Sequence, residues 1–210
     1  MEFDYIIDNI IKADLKVKPW PYVNVQNFLK EEHLQLLIHD WHSINWLEHE
    51  DKKEEYIRNW EEPNWVRDYF SDEHSKELKD FLSSYEVFNV LQQKFDVWFD
   101  WNNIWVKRMF KRDEPGCGDY SHTDVWIHSY MVLQIFFPEQ SYPNYGTVMQ
   151  EYEHQPHDEA IELPLQKNSM SAFANTPTTW HAVRPGDRLR KSYIQRFLYK
   201  DGHNPYYNEQ

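Results

Sequence analysis

Gly118 to Phe137 reads GDYSHTDVWIHSYMVLQIFF, and two signals meet in it. Its end, Ser129 to Phe137, is rich in β-branched and aromatic residues over a strand's length. Its middle sets His122 and Asp124 two residues apart at the start of that strand. Residues at i and i+2 of a strand point to one side, so the pair can share a metal. The lead, Pro115-Gly116-Cys117-Gly118-Asp119-Tyr120, suits a turn.

Working outward, period-two texture recurs over Asn103 to Lys111, Ser129 to Phe137, Gly146 to Glu153, Ile161 to Leu165, Ser169 to Phe173, Trp180 to Val183 and Ser192 to Tyr199. Short strands broken by Pro, Gly and Asn predict a sandwich or barrel, most economically closed as a double-stranded β-helix, or jelly roll. Before residue 100 the period changes. Residues 31–44, EEHLQLLIHDWHSI, and 71–95, SDEHSKELKDFLSSYEVFNVLQQKF, space their apolar residues by three and four, with Ser71 or Asp72 as a helix cap. Ahead of both, Trp20 to Leu29 reads as a short edge strand entering a turn. The expected fold is therefore mainly β with flanking helices. A helical N-terminal half, 1–102, would support a jelly-roll core over 103–200, and no linker divides the 210 residues into further domains.

Composition narrows the class. Aromatics supply 17% of residues and glycine only five, which suits a packed globule. The single Cys117 excludes an internal disulfide. The opening MEFDYIIDNI lacks the basic flank and apolar run of a signal peptide, and no stretch has membrane-spanning length, so a soluble, cytoplasmic protein is expected. A net charge of −13 disfavours a nucleic-acid partner and suits neutral or cationic substrates. Arg184, Arg188, Arg190, Lys191 and Arg196 form a local basic patch able to steer a small dicarboxylate.

His-x-Asp alone is weak evidence, since such a tripeptide is commonly a solvated surface pair. His181, 59 residues after His122 within Trp180 to Pro185, adds a second imidazole. Two imidazoles and one carboxylate on one octahedral face form the ligand set of many non-haem iron(II) oxygenases. Taken singly, His181 fits a satisfied core histidine and Arg190 a surface ion pair. Strand parity, however, aims Arg190, Ser192, Ile194 and Arg196 at one face, and a guanidinium facing a barrel interior requires an anionic partner. Arg190 with the Ser192 hydroxyl would grip the distal carboxylate of 2-oxoglutarate. His128, His154 and His157 read as surface or loop residues. Trp41, Trp46, Trp60, Trp65, Trp98, Trp101 and Trp105 read as core, with Trp101 or Trp126 a candidate for a substrate pocket.

On these motifs, residues 103 to 200 resemble the 2-oxoglutarate/iron(II)-dependent oxygenases, in particular the prolyl 4-hydroxylase-like branch. The features in order are Gly118 and Tyr120 before His122-x-Asp124, SYMVLQIFF, YGTVMQEY, Pro164, MSAF, Trp180 to Val183, then Arg190 with Ser192. PWPYVNVQNFL, Pro19 to Leu29, is similar to the branch's N-terminal strand and turn. The resemblance implies Fe(II) on His122, Asp124 and His181, with 2-oxoglutarate and O2 as co-substrates. Its products would be succinate, CO2 and a hydroxylated amino-acid side chain, peptidyl or free, or a small metabolite. Asp124 favours hydroxylation over halogenation, because related halogenases lack this carboxylate. Tyr120, Tyr130 and Gln134 join Arg190 and Ser192 as co-substrate contacts, since Phe136 takes the place where the family often has a hydroxyl or amide. Lys191 alternates away from Arg190.

Two other functions fit parts of the pattern. A non-catalytic jelly-roll or cupin-like binding module would keep the scaffold without turnover. A nucleic-acid oxidative demethylase would explain Arg190-x5-Arg196, but the spacing of nine from His181 to Arg190 is short for that group, and the acidic surface opposes it.

Overall fold

The structure is a computed structural model that describes residues 2–44, 74–116, 118–125 and 129–199, and the backbone alone of 65–67 and 126–127. Ten described strands form two antiparallel sheets. They are β1 (Tyr22–Gln26), β2 (Trp65–Arg67), β3 (Ile104–Asp113), β4 (Asp119–His122), β5 (Ser129–Phe136), β6 (Tyr142–Met149), β7 (Ile161–Leu165), β8 (Ser169–Ala174), β9 (His181–Val183) and β10 (Arg190–Tyr199). The larger sheet runs β1-β8-β5-β10-β3-β2 and the smaller β4-β9-β6-β7. From β3 onward the chain passes back and forth between the sheets, with β6 and β7 paired as a hairpin in the smaller one, as in a jelly roll. Described helices are α1 (Asp4–Lys12), α2 (Glu31–Ser43), α3 (Lys76–Leu82) and α4 (Tyr85–Phe95). None is long and apolar enough to cross a membrane.

β5 explains why the opening stretch carries little polar alternation, because every residue of the strand is buried. Met131, Leu133 and Ile135 pack in the helix-side core with Ile6 and Ile10 of α1, Leu34 and Leu37 of α2, Leu78 and Leu82 of α3, and Phe88 and Leu91 of α4. Val132, of opposite parity, packs between the sheets with Met109, Met149, Leu163, Phe173 and Ile194. A strand covered on both sides has no solvent face on which to display polar residues. Each fully buried aliphatic side chain contributes about 1.5–3 kcal/mol.

The expectation of a helical N-terminal half is corrected. Strands dominate, and the first hundred residues supply β1 and β2, the two margins of the larger sheet. The helical periodicity is real but serves short helices that cover one sheet. Within 71–95 the helical spacing serves two helices, because α3 ends at Leu82 and Ser84 restarts the chain by accepting from the Val87 N–H. Ser71 and Asp72 lie outside the described residues, as do Trp46 and Trp60.

β1 forms the expected edge strand, with Tyr22 opposite Phe173 and Gln26 opposite Ser169. β6 begins at Tyr142, four residues before Gly146, and ends at Met149. Gly146 permits its crossing over β7, since a Cβ there would stand 2.3 Å from the Leu163 carbonyl oxygen.

Candidate metal centre

The stretch read as a turn before His122 contains β4, a strand absent from the sequence-based set. β4 pairs with β9 so that His122 lies opposite His181 and Asp119 opposite Val183. Gly118 allows the close approach, because a Cβ there would fall 2.7 Å from the Val183 carbonyl oxygen. The expected strand geometry for His122 and Asp124 is also corrected. His122 ends β4, and Asp124 opens a short 3-10 turn over Asp124–Ile127 before β5 begins. Convergence comes from a strand end beside a turn, not from strand parity.

The three side chains meet nevertheless. His122 Nε2 stands 3.7 Å from Asp124 Oδ1, and His181 Nε2 stands 3.6 Å from Asp124 Oδ2. Their ligating atoms all lie within 4.8 Å of one another. Ligands about 2.1 Å from one ion at right angles stand about 3.0 Å apart, so each imidazole would close on the carboxylate by about 0.6–0.7 Å to hold an ion. Both imidazoles are oriented by backbone carbonyls two residues earlier. His122 Nδ1 donates to Tyr120 O at 2.6 Å, and His181 Nδ1 to Thr179 O at 2.9 Å. A carbonyl only accepts, so each ring carries a proton on Nδ1 and faces Asp124 with Nε2, the nitrogen left for a metal.

Electrostatics favour the metal-binding protonation states. Burial pushes the His122 imidazole down from its usual value, the neighbouring His181 adds to this, and Asp124 opposes it. Burial alone would raise the Asp124 carboxyl. The Arg196 guanidinium and the two imidazoles override that and hold it well below the carboxylate range. Arg196 Nη2 lies 3.1 Å from Asp124 Oδ2. The sequence displayed Arg196 only as a member of a basic patch and of the Arg-x5-Arg spacing. Its shared parity with Arg190 was the available signal, but the link to Asp124 depends on the unforeseen turn.

Arg190 is only 3% exposed and sits over the Phe136 ring, with Cζ 5.5 Å from the centroid. The aromatic face supplies a cation–π contact where a hydroxyl was expected. Arg190 Nη1 donates to Asp113 Oδ2 at 2.8 Å, while Nε and Nη2 have no hydrogen-bond partner among the described residues. Buried guanidinium N–H groups left in this state form a receptor for an anion. Lys111 shares the region, 3.2 Å from Asp113 and 2.8 Å from Asp119, and holds the Asp119 carboxyl below its usual range. Ser192 is fully buried and accepts from Gln134 Nε2 at 3.1 Å.

Other expected contacts fall elsewhere. Tyr130 stacks on Phe99 at 4.3 Å and meets Tyr199 edge-on, which puts its ring in the helix-side core. The register shift between Phe197 and Leu198 breaks the parity that would have aimed it inward. Tyr120 is 81% exposed, and its backbone carbonyl, not its ring, serves the site. The basic patch is dissolved into ion pairs. Arg184 meets Asp158 and Glu162, Arg188 meets Asp187, and Lys191 meets Glu139. Trp41 is buried, whereas Trp98 and Trp105 are exposed, contrary to the core reading. Trp101 packs against Phe88 in the helix-side core, and the Trp126 side chain and all of His128 lie outside the described residues. Trp20 donates to Gln150 O and leans on Phe173, whose ring packs edge-on against His181.

No family model and no curated protein matches the chain. Solved structures do. A Pseudomonas putida prolyl-4-hydroxylase is similar with a TM-score of 0.54 at 13% identity, over 93% of each chain. A prolyl 4-hydroxylase from Phytophthora capsici gives 0.58 at 12% identity, over 94% of this chain and 65% of the other. A prolyl hydroxylase from Trichoplax adhaerens, in complex with a hypoxia inducible factor oxygen degradation domain peptide fragment, gives 0.58 at 11%, over 95% and 90%. What these similarities establish is the fold.

Proposed function

We propose that this chain is a 2-oxoglutarate- and Fe(II)-dependent dioxygenase that hydroxylates an amino-acid side chain, peptidyl or free, or a small metabolite. The observation that carries the reading is the pairing of His122, Asp124 and His181, tautomers set, with a buried Arg190 whose Nε and Nη2 lack partners. The residues suit the group they would hold. Two neutral imidazoles and one ionised carboxylate match Fe(II), and the orphaned guanidinium N–H groups match a distal carboxylate. Bound Fe(II) and 2-oxoglutarate would supply oxidative chemistry that yields succinate and CO2.

The chain's own contribution is positional. Tyr120 O and Thr179 O hold a proton on each Nδ1 and so turn Nε2 toward the metal position, and Arg196 keeps Asp124 ionised. Arg190 and Ser192 orient the co-substrate, and Phe173 shields one side of His181 from water. The Trichoplax relative's peptide partner supports a peptidyl substrate, and the acidic surface favours neutral or cationic ones.

The test is succinate release from 2-oxoglutarate by the Fe(II)-loaded protein, supplied with peptide and amino-acid libraries. Asp124→Ala is expected to abolish release. Wild-type turnover in that variant would remove the metal assignment. A binding module without turnover would instead bind 2-oxoglutarate, form no succinate, and leave the libraries unchanged.

A further inference from the structure

Far from β4 in sequence, His39 and Asp40 near the end of α2 meet His74 just ahead of α3. Asp40 is 7% exposed and its carboxylate is fixed from one side. The backbone N–H groups of His74 and Ser75 each donate to it at 3.0 Å, and the Ser75 hydroxyl donates to it as well. These bonds tie α2 to α3 and account for the burial of the carboxylate.

Two imidazoles approach the same carboxylate. His74 Nδ1 lies 3.5 Å and His39 Nδ1 3.8 Å from the same Asp40 oxygen, Oδ1. Both separations exceed the 2.7–3.2 Å of a sound N–H···O bond. Ligands held about 2.05 Å from a tetrahedral ion stand about 3.3 Å apart, close to both values. The two rings pack at a centroid distance of 3.9 Å, and all three ligating atoms fall within 4.8 Å of one another. Two nitrogens and one oxygen suit a borderline ion of the zinc class, and both imidazoles are half exposed, leaving a fourth position open to water. We propose that His39, Asp40 and His74 form a second divalent-metal site, separate from the triad, that links α2 to the start of α3. Lys79, 3.7 Å from Asp40 Oδ2, offsets part of the carboxylate's charge and makes the site exchangeable rather than permanent.

Anaerobic titration of the full chain with Co(II) tests this, because tetrahedral Co(II) absorbs visible light far more strongly than octahedral Co(II). About two ions per chain are expected, one of them tetrahedral. His39→Gln and His74→Gln should each remove the strong band and one ion. Both positions are half exposed, so the fold should tolerate the change. Asp124→Asn should keep the band and lose the other ion. Zn(II) should raise the melting temperature of Asp124→Asn, and not that of Asp124→Asn combined with His74→Gln. Unchanged ion stoichiometry in both Gln variants, a strong band that survives both, or its loss in Asp124→Asn would overturn the proposal.

Discussion

Arg196 Nη2 and Asp124 Oδ2 form an ion pair 3.1 Å apart, with both side chains almost entirely buried. Removing one partner of a buried pair costs about 3–5 kcal/mol, because the remaining charge is left uncompensated. Arg196→Met should therefore lower the melting temperature of the metal-free protein sharply. A divalent ion on the triad supplies the missing positive charge, so Co(II) should recover more stability in the variant than it adds to the wild type. Equal shifts, read by scanning calorimetry, would mean that Asp124 does not bind the ion.

Asp113 takes one N–H of Arg190, and a distal carboxylate would have to share the same guanidinium. Asp113→Asn is expected to tighten 2-oxoglutarate binding several-fold and Arg190→Ala to weaken it at least ten-fold, since charge-assisted bonds are worth about 1.5–3 kcal/mol. Calorimetry on the metal-loaded protein measures both. Unchanged affinity in Arg190→Ala would assign Arg190 to the Asp113 ion pair alone.

Because burial depresses the His122 pKa, the unfolded chain takes up a proton first as pH falls. His122 in the metal-free protein should titrate below the ordinary imidazole value of about 6.5. Its contribution to stability is then present above that value and declines as pH drops through the window between the unfolded and folded pKa. An NMR titration, with His122→Gln to assign the resonance, checks this. A midpoint at or above 6.5 would contradict it.

Gly146→Ala drives a methyl against the Leu163 carbonyl, where 2.3 Å is available. Overpacking of this kind costs about 1–3 kcal/mol. Urea unfolding should show a lower midpoint with an unchanged slope, and an unchanged midpoint would mean that β6 and β7 separate freely.

The sequence was most legible where burial and periodicity agree. β5, β7, β8 and β10 lie close to their expected bounds, since each reads as an apolar run flanked by turn residues. The triad was identified for residue types and spacing, yet the element under it was not. Asp119 to His122 carries Gly, Asp, Tyr and Ser, which read as a turn, and its strand geometry comes from pairing with β9. The Asp113–Arg190 pair was hidden because register, not composition, brings β3 and β10 together, and the Arg196–Asp124 pair because Asp124 lies on an unforeseen turn. Adjacent His39 and Asp40 had no periodicity linking them to His74, whose approach depends on how α2 and α3 pack.

The place of β1 and β2 at opposite margins of the larger sheet has a bearing on how the chain can be divided. A fragment starting at residue 103 would keep His122, Asp124, His181 and Arg190 and lose both guard strands. It would also bare the row of Met131, Leu133 and Ile135 that the helices cover. Unpaired backbone on two flanks beside a stripped apolar wall is a template for self-association. The N-terminal residues thus border and cover the sheet that carries the centre, and the centre is only as separable from them as a sheet is from its hems.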